Sequence, residues 1–498
     1  MGSGAAAGGR GSWTLTTCPI QLCRRERKEA ELSRVALVLA AGEGTRMKSD
    51  VPKVMHRVCG RPMLAWVLDA LEEIKGAGHV DGILVVIGKG APGVEKEVGE
   101  RAACVVQEER KGTGHAVMIA APRIAAEEVL VITADSPLVT PATLADLCKL
   151  HRDKGPAVTI LATVLDDPTG YGRILRDGSG AVKGITEESE ADPAERNIKE
   201  INTSIYVFNW EKLGKVLPEL GTGNAKGEYF LTDAVALLAR AGENISAHIT
   251  PDACEVLGVN SREHLAQAEA LMRQRINRRW MEEGVTMEDP STTFIGGEVT
   301  IGRDTLLRPM VILEGRTAIG EGCVLGPNVR IVDSLIGNGV SVEQSTVRES
   351  ELEDGVNVGP YASLRPGSVF RAGSKAGTFV ETKKTVVGRE SKVPHLSYMG
   401  DADIGDGVNV GAGSITCNYD GAHKHRTVIE DEAFIGSDTM FIAPVRIGKG
   451  SVTGAGSAIS KDVPPGALGV ERNQQKNILE YKKKTGKKKK KKEEEGKP

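Results

Sequence analysis

The apolar positions of this 498-residue chain follow two different rhythms, with a change near residue 284. Order begins near Arg34. Val35-Ala-Leu-Val-Leu-Ala40 is short and wholly apolar, as expected of a strand buried on both faces. Similar runs follow at Ile83 to Ile87, Val129 to Thr133, Val158 to Val164 and Ile205 to Phe208. Helical patterns lie between several of them, at Met63 to Ile74, His115 to Ala120 and Thr143 to His151. This alternation predicts an α/β domain over residues 34–260 with a mainly parallel sheet. Ser261 to Glu283 then reads as one helix. Leu265, Ala268, Met272, Ile276 and Trp280 fall near one face and Gly284 is placed to end it, making 261–284 a helical linker.

Beyond that point the period becomes six. Ile295, Ile301, Leu307, Leu313, Ile319, Leu325 and Ile331 follow one another without a miss. After a one-residue slip come Ile336 and Val342, then Leu352, Val358 and Leu364, Ile404 and Val410, and finally Ile435, Phe441, Ile447 and Ile459. Six fits neither an α-helix nor a strand pair. It fits a parallel β-helix whose triangular coil has three six-residue sides, each turning one aliphatic inward. This domain is expected over 285–472, with loops leaving the coil at about Arg371 to Glu381 and Asn418 to Thr427.

Composition agrees with thin, regular walls: aromatics are 4% and there are 60 glycines. With 64 basic and 67 acidic residues the net charge is −3, which gives no field to draw in nucleic acid. The eight cysteines include no C-x-x-C pair and read as reduced thiols of a cytoplasmic protein. No apolar run is long enough to span a bilayer. Residues 1–33 lack the apolar core of a secretory signal and read as a disordered extension, with a transit peptide as the alternative. The tail, 473–498, carries nine lysines between Tyr481 and Glu493 and also reads as disordered.

Candidate chemistry in the first half begins directly after the first strand, in Leu39-Ala-Ala-Gly42-Glu-Gly44-Thr45-Arg46-Met47. Small residues there let backbone N–H groups approach a phosphate or base, and Arg46 and Lys53 supply cations. The segment is neither a Walker loop nor G-x-G-x-x-G. Gln107 with Lys111-Gly-Thr-Gly114 offers polar groups to a base. Asp135 ends the strand Val129 to Thr133, at the edge where open α/β sheets bind ligands, and is suited to holding Mg²⁺ on phosphates.

L-A-A-G-x-G-T-R-M followed by V-P-K resembles the signature of sugar-1-phosphate nucleotidylyltransferases. A wider resemblance is to the bacterial bifunctional N-acetylglucosamine-1-phosphate uridyltransferase/glucosamine-1-phosphate acetyltransferase family. Asp167-Pro-Thr-Gly-Tyr-Gly-Arg173, Glu200-Ile-Asn-Thr203, Gly227-Glu-Tyr-Phe-Leu-Thr-Asp233 and Gly258-Val-Asn260 carry it, over about Arg34 to Arg472. The resemblance implies a Rossmann-like nucleotidyltransferase domain and a left-handed β-helix. It implies that Leu39, Ala40, Ala41, Gly42, Gln107, Gly112 and Thr113 hold the uridine nucleotide, and that Gly172, Glu187 and Asn202 hold N-acetylglucosamine. Asp135 and Asn260 would ligate Mg²⁺, while Arg46 and Lys53 neutralise the triphosphate of UTP. Ala134 and Ser136 flank the aspartate where the family more often has Gly and then Val or Thr, so altered rate or packing is expected.

In the second half, reactive residues gather in irregular stretches: Arg365, Lys383, His395, Tyr398, Asn409 and Cys417-Asn418-Tyr419-Asp420-Gly421. An amine acceptor needs a base near neutral pKa, which imidazole supplies, and a sugar phosphate needs cations. The resemblance implies His395 as general base on the amine of glucosamine-1-phosphate, with Arg365, Lys383, Tyr398 and Asn409 around the sugar phosphate. Ala412, Ser437, Ala455 and Arg472 would line the acetyl-CoA site, joined by Asn418 and Tyr419, in a homotrimer. Val393-Pro394 stands before His395 where the family commonly has Ala-Gly, and proline would shift the approach to the base. The alternatives are a nucleotidylyltransferase of other specificity whose β-helix serves oligomerisation or regulation, and a non-catalytic subunit.

Overall fold

The computed structural model describes residues 33–481. The extension at 1–32 and the tail from 482 therefore lie outside the described residues, while 473–481 carry no strand. The chain divides into two compact units, one of residues 33–58 and 62–268, the other of 59–61 and 269–481.

In the first unit the apolar runs become strands of one nine-stranded sheet. They are β1 (Arg34–Ala40), β2 (Gly82–Gly88), β3 (Ala103–Gln107), β4 (Glu128–Thr133), β5 (Val158–Val164), β6 (Gly172–Arg176), β7 (Val182–Thr186), β8 (Glu200–Asn209) and β9 (Ile245–Ile249). The order is β9-β5-β8-β4-β1-β2-β3, with β6 attached to β8 and β7 to β6. The sheet is mixed, not mainly parallel: β8 enters antiparallel between β4 and β5, and the β6–β7 hairpin is antiparallel too. The strands not read from the sequence, β6, β7 and β9, lack a continuous apolar run, because they are edge or hairpin strands covered on one side.

Among the described residues, seven α-helices flank or follow these strands: α1 (Met63–Gly76), α2 (Pro92–Val98), α3 (Thr113–Ala120), α4 (Pro141–Lys154), α5 (Trp210–Val216), α6 (Thr232–Arg240) and α7 (Arg262–Glu282). Pro141 at the first turn of α4, the Thr140 cap accepting from Thr143 N–H, and left-handed Gly155 give that helix clear ends. Alternate residues of the sheet feed two cores. Leu37, Val86 and Val131 pack into one, and Val38, Val85 and Ile132 into the other. The chain passes from the first unit to the second within α7.

The second unit is a left-handed parallel β-helix with three faces of 11, 10 and 9 short strands. Each inward position stacks on its equivalent one coil later. One column runs Ile301, Ile319, Ile336, Leu352, Phe370, Val387, Ile404, Ile429 and Ile447. All nine are buried. One expected loop is absent and the other is present. Residues 371–381 do not leave the coil: Lys375–Thr378 is a regular strand. The period of six continues through Leu364, Phe370, Ala376 and Thr382, and it was hidden because a methyl and a hydroxyl replace aliphatic side chains. Only the expected break at 418–427 inserts extra chain, so that Asn409 pairs with Phe434, 25 residues on, where Lys392 pairs with Asn409 at 17.

Candidate active sites in the two units

The carboxyl ends of β1 and β4 open into a cavity of about 290 Å³. Leu39, Arg46, Thr113, Asp135, Gly172, Glu187, Asn202 and Asn260, all singled out from the sequence, line it. Ala40, Ala41 and Gly42 continue β1 beside it; Lys53, Gln107 and Gly112 adjoin its wall through Asp135 and Thr113. Asp135 lies 82 residues from Lys53 and Asn260 lies 207, yet both accept hydrogen bonds from the Lys53 ammonium. The Asn260 Oδ1 distance is 2.6 Å. Val259 N–H donates to Asp135 O at 2.9 Å, which seats Asn260 beside the carboxylate. Burial would push the Asp135 carboxyl up, but Lys53 and the Thr133 hydroxyl outweigh it and hold the pKa below the ordinary value. Two oxygens thus converge on one cation, a donor set that suits a hard divalent ion as well as an ammonium. Ala134 is fully buried in the core, and Ser136 bonds Thr133 at 3.3 Å, so the unusual flanks are packing substitutions that leave the carboxylate in place.

Opposite, Gly172 pairs with Asn202 across β6 and β8. A bulge after Asn202 lets its Nδ2 donate to Tyr206 OH at 2.7 Å, while its Oδ1 accepts from Ser204 N–H. Glu187 accepts from the Thr232 hydroxyl at 3.1 Å, and burial raises its pKa despite that bond and Lys226. The Lys111–Gly114 loop is locked to the Gly227–Asp233 segment: Tyr229 N–H donates to Lys111 O, Gly114 N–H to Tyr229 O, and Leu231 N–H to Thr113 Oγ1 at 3.0 Å. Gly112 sits at φ +99°, and a Cβ there would lie 2.5 Å from Tyr229 O, so no other residue fits. Tyr206, Thr232, Phe230 and Tyr171 also line the cavity. The last three stand in the motifs quoted above but were given no role, and Tyr206 stands in none, because spacing does not mark a residue that works by supporting another.

On the β-helix, Arg365 and Lys383 occupy one outward column on adjacent coils. Arg365 pairs with Glu381 at 2.6 Å. Lys383 is held below the usual lysine range by Lys424 first and then Arg365. Lys424 belongs to the inserted loop; the sequence reading marked that loop but took only Asn418 and Tyr419 from it. Asp420 anchors the loop by accepting from Ala422 N–H, His423 N–H and His425 Nε2, which drives its pKa down. The next residue of the Arg365–Lys383 column is Gly400. A Cβ there would meet Tyr398 OH at 2.4 Å and Asn418 Nδ2 at 2.8 Å, so the phenol and amide close over a floor that only glycine leaves open. Asp401 fixes that amide at 2.6 Å.

His395 ends the strand Lys392–His395 with an exposed ring. Val393 is simply an inward residue, stacked on Ala376. Pro394 has no N–H to give the next coil, and pairing there is confined to Lys392↔Asn409. Asn409 stands on the face of Lys392, not on that of Lys383. Ala412, Ser437 and Ala455 stack on three successive coils, and Arg472 lies near Gly456 beside the last of them. Tyr419 is exposed, its hydroxyl bonded to Gly421 O. One chain therefore gathers Arg365, Lys383, Lys424, Tyr398 and Asn418, and carries the Ala412 column as a separate strip.

Known proteins agree with both halves. The model of the MobA-like NTP transferase domain matches residues 36–287. Three relatives carry the name "Bifunctional protein GlmU". That of Heliobacterium modesticaldum is 50% identical over 91% of this chain and 99% of its own. Those of Syntrophomonas wolfei and Thermoanaerobacter pseudethanolicus are 48% and 50% identical, each over 89% of this chain and 98% and 96% of theirs. A solved UDP-glucose pyrophosphorylase in complex with UDP-glucose is 18% identical at TM-score 0.41, over 49% of this chain and all of that one. Identity near one-half along nine-tenths of the chain, with a nucleotidyltransferase sheet followed by a left-handed β-helix, means that the chain belongs to the GlmU family of bifunctional enzymes.

Proposed function

We propose a division of labour between the units. The β-helix, residues 285–472, transfers acetyl from acetyl-CoA to the amine of glucosamine-1-phosphate. The first unit, essentially residues 34–260, transfers uridylyl from UTP to the resulting N-acetylglucosamine-1-phosphate and releases pyrophosphate. The observation that carries the uridylyl-transfer part of this reading is the convergence of Lys53, Asp135 and Asn260 on one point at the rim of the cavity. A sugar phosphate oxygen attacks the α-phosphorus of UTP in line, so both reactants are anions and no protein nucleophile is needed. Arg46 and Lys53 neutralise the triphosphate. Asp135 and Asn260 would hold Mg²⁺, which when bound draws charge from the phosphates. Leu39 to Gly42, Gln107, Gly112 and Thr113 seat the nucleotide, and Gly172, Glu187 and Asn202 the acetylated sugar.

For acetyl transfer, His395 takes the proton of the attacking amine. Arg365 and Lys383 take the sugar phosphate, and Lys424 joins them: the mutual repulsion that lowers Lys383 is relieved when an anion arrives. The strip of Ala412, Ser437 and Ala455 receives acetyl-CoA, with Arg472, Asn418 and Tyr419 at its border. A homotrimer, with the acetyl site shared between copies, is supported by an exposed apolar edge in which Tyr361 and Phe379 stack at 5.3 Å and Leu396 follows on the next coil. The substrates are small molecules. Among the described residues no helix is long and apolar enough to cross a membrane, which accords with a cytoplasmic enzyme. Protein incubated with UTP, acetyl-CoA, glucosamine-1-phosphate and Mg²⁺ should yield UDP-N-acetylglucosamine by mass spectrometry, and its absence would overturn the assignment. Sedimentation should give the mass of three chains.

A further inference from the structure

Gln107 is 2% exposed at the end of β3, and its amide nitrogen has two partners: Gly112 O at 3.3 Å and His115 Nδ1 at 2.9 Å. A backbone carbonyl can only accept, so the NH₂ group, not the oxygen, faces Gly112. The second hydrogen then points to His115, whose Nδ1 must present a lone pair. The imidazole is therefore the neutral tautomer with its hydrogen on Nε2. Its ring is held from another side by the phenol ring of Tyr229, stacked at 6.1 Å, within the segment that also clamps Gly114. With both amide hydrogens committed inside the protein, the group that Gln107 has left for a ligand is the acceptor Oε1.

We propose that His115 is a positioning residue for base selection: by accepting from Gln107 it fixes the amide with its oxygen free, so that the site accepts the N3–H of uracil and rejects cytosine, whose N3 is a lone pair. This rests on the reading above that Gln107 meets the uracil of UTP. Without His115, only the longer bond to Gly112 opposes rotation of the amide, and the rotated form offers N–H to cytosine. His115 touches no reacting atom, so its loss changes the choice between nucleotides more than the rate with the right one.

The test compares kcat/KM for UTP and CTP in pyrophosphate release, using the full-length enzyme and its His115→Leu, His115→Asn and Gln107→Leu variants. His115→Leu should reduce the UTP/CTP ratio roughly three- to tenfold, the worth of one hydrogen bond. His115→Asn, whose side-chain oxygen can stand in for Nδ1, should restore it to within about twofold. Acetyl transfer, assigned above to the other unit, serves as the control and should not move, and the UTP/CTP ratio, being internal to each variant, is insensitive to a uniform loss of folded enzyme. If His115→Leu slows both nucleotides equally and the ratio holds, while Gln107→Leu lowers it, the inference fails and the base reading stands. An unchanged ratio in Gln107→Leu would overturn the base reading and the inference together.

Discussion

The two units build their sites from opposite kinds of sequence. In the first, one ammonium meets oxygens 82 and 207 residues away, and groups that brace the cavity, such as Tyr206 and Thr232, are buried among the residues that form the core. In the β-helix, core and chemistry are separated by the strand alternation: Leu364 and Thr382 point inward while Arg365 and Lys383, one residue on, point outward. A substitution in the first site therefore also disturbs folding. One on the outer face of the coil changes chemistry and leaves the fold alone.

Core changes in the coil should give the largest stability effect. Leu325 is fully buried within an inward column. Leu325→Ala should cost about 2–5 kcal/mol, read as a lower unfolding transition for the β-helix. An outward change such as Lys383→Ala should leave that transition where it is; an equal drop would break the separation.

Next comes acid. His151 is buried against Thr159 and stands 3.7 Å from Glu128, yet burial, with Arg34 and Lys212, lowers its pKa to about 3. His56 and His79 are lowered too, again by burial first, while His395 in the coil is exposed. A base whose folded pKa is depressed contributes stability above its unfolded value and loses it as pH falls toward the folded one. Between about pH 6.5 and 3, His151 alone should take up to about 1.4 kcal/mol per pH unit from the first unit. Calorimetry across that range should show its transition falling faster than that of the coil, and His151→Gln should flatten the difference.

The smallest effect belongs to the coil's outer ion pairs. Arg330 and Glu314 meet at 2.6 Å, both about half exposed. Arg330→Ala should cost about 0.2–1 kcal/mol, measured by denaturant midpoint, and less in high salt.

The same contrast explains what the sequence could reveal. The coil was legible where aliphatics recur at an unbroken spacing of six. It was lost at Ala376, Thr382, Met399 and Thr416, where the residue type changes, and at Val347, Val387, Val393 and Ile429, whose neighbours in the repeat were already lost or displaced. In the first unit the buried strands were plain, but β8 reads like any parallel strand, because direction leaves no trace in an apolar run. Most of the proposed site residues of the first unit sit in motifs, and so do the supports Tyr171, Phe230 and Thr232, but a motif does not say which partner each side chain reaches. Tyr206 bonds Asn202 only because a bulge intervenes, and Thr232 reaches Glu187 from 45 residues away. Lys424 was within reach: a cation in the one insertion that leaves the coil, beside a column already bearing Arg365 and Lys383.

The central claim is that the two activities have separate sites within one chain. Asp135→Ala and His395→Ala, each assayed for pyrophosphate release from UTP and for acetyl transfer to glucosamine-1-phosphate, test it most directly. Asp135→Ala should lower uridylyl transfer by about 100-fold or more and leave acetyl transfer at the parent rate. His395→Ala should lower acetyl transfer roughly 10²–10⁴-fold and spare uridylyl transfer. Loss of both activities in either variant, with the protein still folded, would contradict the account.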